Sequence, residues 1–407
     1  MQRFNRGLYG GLERSVARCR PSLPHGREGG QRLAALWGQF NGKVSLASRN
    51  RGPDSSLKRR GNRPRVVTLR IVATPAPTTL KPPIGILAAL SAGYDRIAGH
   101  PALVLPPLAL DLFLWFAPQL RATTLIQGLA GTVAVPSGID PALVEQVQAV
   151  QQGFADLAIR FNILSALSAI PAGVPSLMAA RMPLANPLGS PLAVETGSLT
   201  TAAAAWVLFT LIGLGMGALF NVLVARQIAP KEETAPLGQA WGRFIALSAA
   251  MYGAVLVLMA VAAVAVSAAT LLLPLLGAAL MFIIFSIGFW LAIYLAFTPH
   301  GIIRYRFGLR KAMRESMRVV RWNMPYSVAF LALVMLATYA TGWVWAMPVE
   351  DSWFCLLAVV GHAFVSATLI AASYAFYQGR HEWMVAMRRA FLAKAAAAGM
   401  PVPRGEE

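Results

Sequence analysis

Asp111 is the acidic side chain placed deepest within an apolar stretch of this chain, and His362 is the imidazole at comparable depth in another. A charge at mid-bilayer costs on the order of 2.5–3.5 kcal/mol by insertion scales, so a carboxylate there faces other helices or takes up a proton. Two chemistries fit. Asp111 can carry a proton or ion, with His362 as its partner, or it can tie helices together by hydrogen bonds. Asn221, Tyr374 and Tyr377 lie nearer a boundary and are assigned no special role.

A second group is basic. At about 100° per residue, Arg310, Lys311, Arg314, Arg318 and Arg321 fall within an arc of about 100°, with Leu309, Met313, Met317 and Val320 on the adjoining arc. A helix of this pattern beside a span sits at the headgroups of an anionic leaflet. The alternative is charge that merely sets topology. Other motifs are absent: the sequence has no HExxH, Walker A loop, G-x-S-x-G elbow or CxxC pair, and His381-Glu382 is not followed by a second His at ligand spacing. With two Cys and five His, no metal site, cofactor or enzyme activity is expected. Gly213-x-Gly215-x-Gly217 follows no strand, so it reads as close packing of helices rather than as a phosphate loop.

The elements that must position these residues are apolar. From Phe244 to Ile303 the chain runs 60 residues without Asp, Glu, Lys or Arg. That is enough for two spans of roughly 30 Å and a hairpin. Apolar residues make up 56% and charged residues 13%, with a mean hydropathy of +0.55, outside soluble usage. The expected fold is all-α, a polytopic membrane bundle of six spans. These run Pro101–Gln119, Ala202–Val224, Phe244–Val266, Leu271–Phe297, Tyr326–Trp345 and Phe354–Phe376. The third and fourth are divided at Ser267–Thr270. Pro101–Gln119 is the weakest span, being short and carrying Asp111 and Pro106-Pro107, so five spans with a re-entrant first segment is the alternative.

With both termini on the cytoplasmic side, 17 basic residues after position 70 fall inside, against Arg121, Arg160 and Arg181 outside, as the positive-inside rule requires. Trp115, Trp206, Trp343, Trp345 and Trp353 fall at outer boundaries, and Trp241, Trp322 and Trp383 at inner ones. Indole rings favour that depth. A cell inner membrane is the expected location.

Outside the spans, residues 1–70 hold 14 Arg, 2 Lys and 3 acidic residues, most of the net charge of +19. Such a sequence is expected to be disordered. It reads as an arm lying on anionic lipid, as an organellar transit peptide, or as sequence upstream of the native start, the next Met being Met178. The charge is too localised to indicate a nucleic-acid partner. Residues 71–100 read as a linker and an interfacial helix over Ile84–Gly99, and 381–407 as a cytoplasmic tail. In the outer loop 120–201, Asp140-Pro141 opens a helix. Along it Leu143, Val147, Val150, Phe154, Leu157, Phe161 and Leu164 repeat with 4-3 spacing, a seam that needs a partner. The expected cover is the protein's own spans or the lipid surface; a dimer contact or a lid over an outer pocket is the sharper alternative. Pro171–Pro191, with five prolines, caps the bundle or plugs a vestibule.

Ser91-Ala-Gly-Tyr-Asp-Arg-Ile-Ala-Gly-His-Pro101 with Pro106-Pro107, the basic helix leading into Trp322-Asn323, and Gly361-His-Ala-Phe through Phe376-Tyr377 resemble segments of a group of bacterial multi-span membrane proteins. These are loosely similar to the membrane domain found beside glycerophosphodiester phosphodiesterases. The likeness covers about residues 84–380 and implies a six-span bundle without an established active site; the long outer loop departs from it. The resulting expectation is a non-enzymatic membrane-organising or accessory subunit that binds inner-leaflet anionic lipid, partner spans or a second copy. The alternative is a proton- or ion-coupled transporter using Asp111.

Overall fold

The computed structural model describes residues 82–131 and 141–398; the arm of residues 1–70 lies outside them. The fold is an α-helical bundle. Among the described residues five helices are long and apolar enough to cross a membrane, and a bent helix pair makes a sixth if taken as one span.

The bent pair is α1 (Ile86–Gly99) and α2 (Leu105–Phe116), joined by a 3₁₀ turn over Pro101–Val104 and inclined at 100°. Gly99 and the missing N–H of Pro101 explain the break. Pro101–Gln119 is therefore not a straight span: α2 has 12 residues, about 18 Å at 1.5 Å per residue. The segment expected to be an interfacial helix is the other arm of the bend. It lies lengthwise on the last described helix, α12 (Phe354–Ala397), and runs against it, with Ile84 beside Gly379 and Tyr94 beside Phe364. Its buried face is Ala89, Gly93 and Ile97. A Cβ on Gly93 would stand 2.6 Å from the Thr368 carbonyl oxygen, so only glycine permits this approach.

Next come β1 (Gln119–Arg121), α3 (Thr123–Gly131), α4 (Pro141–Arg160), the short α5 (Leu177–Arg181) and β2 (Ala193–Glu195). The two strands pair in parallel, Gln119 opposite Ala193 and Arg121 opposite Glu195, and so close the excursion between them. We call this the loop end. The long helices follow: α6 (Leu199–Arg226), α7 (Leu237–Leu272) and α8 (Pro274–Leu295). The α7–α8 break falls at Leu273, not at Ser267–Thr270. A residue before proline is driven to extended backbone, and Leu273 has φ −160° and ψ 122°. At the opposite, basic end, α9 (Thr298–Arg304) and α10 (Leu309–Trp322) precede α11 (Met324–Ala346) and α12. α12 is unbroken for 44 residues, about 66 Å, so the expected tail beyond 380 is helical to Ala397.

Packing is uneven. In their most apolar stretches α6 is 50% buried and α12 39%, but α7 and α11 only 11% and α8 6%. The core therefore lies between α1, α2, α6 and α12, and a second, aromatic core at the basic end stacks Phe297, Phe330, Phe376 and Tyr377. Trp115, expected at a boundary, is 1% exposed and donates Nε1–H to the Glu350 carbonyl at 3.0 Å.

Candidate functional site

Asp111 and His362 meet. α2 places Asp111 fully buried, and its Oδ2 lies 3.5 Å from His362 Nδ1 on α12. Its other oxygen accepts the Ser176 hydroxyl at 2.5 Å and the Met178 N–H at 2.9 Å. Met178 is the second residue of α5, and Ser176 caps the same helix by accepting from Ala179. The carboxylate therefore satisfies one helix-start N–H, that of Met178, from another part of the chain.

His362 Nε2 faces Ser366 Oγ at 3.2 Å, so Asp111, His362 and Ser366 stand in the order of a nucleophile-activating triad. The setting does not supply the rest of that chemistry. Ser366 is in mid-helix, where each N–H is taken by the carbonyl four residues back, so its own turn offers no oxyanion donor. Asp111 Oδ1 ties α2 to α5 by hydrogen bonds, while Asp111 Oδ2 and His362 Nδ1 on α12 face each other without hydrogen-bonding.

What Asp111 holds is an inserted loop. Residues 162–176 leave the loop end, descend along α6 and return. A Cβ on Gly213 would meet the Leu167 carbonyl oxygen at 2.3 Å, and one on Gly217 the Ala172 carbonyl oxygen at 2.1 Å. Gly217 is the nineteenth residue of α6, about 27 Å from its start. The two glycines thus admit a loop rather than a neighbouring helix, and this part of the proline-rich segment plugs the bundle instead of capping it. Its backbone finds internal partners, as irregular chain at this depth must. Ser168 Oγ donates to the Val174 carbonyl, Ser248 Oγ to that of Ile170, and Asn221 Nδ2 to those of Gly217 and Ala172. Tyr374 donates its hydroxyl to Asn221 Oδ1 at 3.1 Å. Asn221 and Tyr374, given no role from sequence, join the loop tip to α6 and α12. Beside the loop is a cavity of about 320 Å³ whose polar lining includes Ser165, Ser168, Ser176, Thr210 and Tyr252, with Trp206 on its wall. These residues carry no charge.

At the basic end sequence reasoning missed a set of buried charges. Arg304, 6% exposed, pairs with Glu233 at 2.9 Å and Glu382 at 3.7 Å and donates Nε–H to Gln378. Arg380 donates to Asn323 Oδ1 and the Ile84 carbonyl and lies over the Tyr326 ring. Glu315 sits between Arg318 at 2.5 Å and His381 at 3.7 Å. The signal was present: Glu315 is the acid on the inward face of a basic helix.

Burial pushes the Glu315 carboxyl up, but the His381 hydrogen bond and the charges of Arg318, His381 and Lys311 outweigh it and hold it below its ordinary 4.5. A carboxyl held low adds stability that is full above its ordinary 4.5 and is lost as pH falls through its lowered value. Glu315→Gln should therefore melt below the parent protein at pH 7, and the gap should narrow only as pH drops below 4.5. A gap independent of pH counts against this assignment.

α10 presents its predicted face. Arg310, Lys311, Arg314, Arg318 and Arg321 are all exposed, while Ala312, Glu315, Ser316, Val319 and Val320 are buried against the bundle. Met317 and Trp322 are exposed beside the basic arc. Fold and site together define a helical bundle with membrane-compatible helices, an inserted loop clamped by Asp111, and a fixed basic face. No family model, curated protein or solved structure matches the chain.

Proposed function

We propose that this is a non-enzymatic multi-span protein of a bacterial cytoplasmic membrane, with both termini inside, that organises lipid or partner spans. The observation that carries the reading is the basic face of α10. Five cationic side chains point outward from a helix whose opposite face is locked into the bundle, and Met317 and Trp322 flank them at headgroup-like positions. The sparsely buried α7, α8 and α11 offer apolar faces that lipid or partner spans cover.

Native mass spectrometry of gently extracted protein tests this. The parent protein should retain anionic phospholipid. At about 1 kcal/mol per basic residue near a charged surface, Arg310→Gln/Arg314→Gln/Arg321→Gln should weaken retention about a hundredfold. Equal retention removes the basis of the proposal. A coupled transporter is the second reading, favoured by the inserted loop and the uncharged cavity beside Asp111.

A further inference from the structure

The cavity beside the inserted loop carries hydroxyls that the protein itself does not use. Thr210 is only 8% exposed, yet its side chain makes no hydrogen bond with any described residue. In the other spans Thr270, Thr338 and Thr341 donate to the carbonyl four residues back, the usual recourse of a helical threonine in apolar surroundings. Thr210 does not, although it is the twelfth residue of α6, about 17 Å from the start of that helix. This places it near the middle of the apolar stretch Ala202–Val224. A hydroxyl left unpaired at that depth is costly. The half-buried Ser165, on the same cavity wall, has no side-chain partner among the described residues either.

We propose that this cavity binds the ring of a neutral sugar. Among the described residues its wall offers hydroxyls and no charge, so an ion would enter without a countercharge. Ser168 and Ser176 direct their protons to the Val174 carbonyl and to Asp111, which leaves oxygen lone pairs free to accept. Ser165 and Thr210 can donate or accept. A ligand that matches this wall both donates and accepts without ionising, as a polyhydroxyl compound does. The aromatic groups narrow the class to a ring. Trp206 and Tyr252 have centroids 5.7 Å apart and planes inclined at 60°. An aromatic face is negative, and the C–H groups of a sugar ring, made positive by the attached oxygens, lie against such a face. At about 320 Å³ the cavity is at the small end of ligand sites of roughly 300–1,000 Å³, with room for one ring rather than a chain of them. A free sugar and the headgroup of a neutral glycolipid present this same chemistry. The cavity lies on α5, α6 and the inserted loop, away from the basic face of α10, so loss of anionic-lipid retention leaves the inference and its test standing.

The test is binding of radiolabelled glucose and galactose, free and as monoglycosyldiacylglycerols, to the purified full-length protein. An amine-oxide detergent, which carries no hydroxyl, avoids competition from the micelle. Saturable binding at one site per chain is expected for at least one probe. Binding of the glycolipids alone assigns the site to a membrane headgroup; displacement of them by free sugar assigns it to a soluble one. Thr210→Val removes the hydroxyl at nearly constant volume and should weaken binding about tenfold, as loss of one buried hydrogen bond does. Its melting temperature without ligand should equal or exceed that of the parent protein. Trp206→Leu should weaken binding to a similar degree. Absence of saturable binding by every probe, the result for a cavity that holds only water, would overturn the proposal. So would binding that survives both substitutions, or an unliganded Thr210→Val protein that melts lower, since the hydroxyl would then have its partner within the protein.

Discussion

Gly217→Ala should destabilise the protein severely, while Gly215→Ala, two residues away on the same helix, should leave it unchanged or slightly more stable. At position 217 the added methyl would stand 2.1 Å from the Ala172 carbonyl oxygen and 2.6 Å from Gly173 Cα. Both obstacles are backbone, so no side-chain rotation relieves the clash, and the inserted loop or α6 must move. Overpacking of this kind costs about 1–3 kcal/mol or more, against a helix-propensity gain of about 1 kcal/mol for replacing glycine. At position 215 the nearest atom is Trp241 Nε1 at 3.4 Å, an ordinary contact, and only the gain remains. Thermal unfolding in detergent, followed by size-exclusion chromatography, separates the cases. Equal melting temperatures for the two variants would mean that the loop does not lie against α6.

This contrast also shows what could be read beforehand. Gly213 and Gly217 announce close approach by their spacing, and the sequence supports that much. It does not say what approaches, because a loop and a helix make the same demand on a glycine. The proline-rich segment is legible as irregular and apolar, which favours a cap over a plug but says nothing of how deep it reaches. Its depth depends on contacts with Asn221 and Ser248, which are 49 and 78 residues distant in sequence from their partners Ala172 and Ile170. Long apolar helices are legible from composition alone, since α6, α8, α11 and the start of α12 lie within a few residues of the expected limits. The bent first pair was not. Its two halves fail the length requirement separately and pass it only when taken together across the 100° bend. Buried Arg304 and Arg380 looked like ordinary boundary charge, because the acids, amides and carbonyls that receive them come from other elements.

Asp111 is where structural and transport roles make opposite predictions. As an acceptor, its Oδ1 satisfies the Ser176 hydroxyl and the Met178 N–H inside the bundle. Asp111→Ala leaves both donors buried without a partner, at about 1–3 kcal/mol each, and should release the inserted loop; a fall in melting temperature together with new protease sensitivity in 162–181 would report it. Asp111→Asn keeps one oxygen for those two donors and turns an amide toward His362 Nδ1, which accepts when the ring is neutral. It should remain folded close to the parent protein. A carboxylate that carries a proton or ion fails differently. Asp111→Asn would then stay folded and lose coupled flux in proteoliposomes, because an amide can occupy the place of the acid but cannot titrate. Stability decides whether the site is a clamp, and flux decides whether it is anything more. A stable Asp111→Ala would remove the clamp altogether, since the same side chain could not then be what holds the loop at its depth.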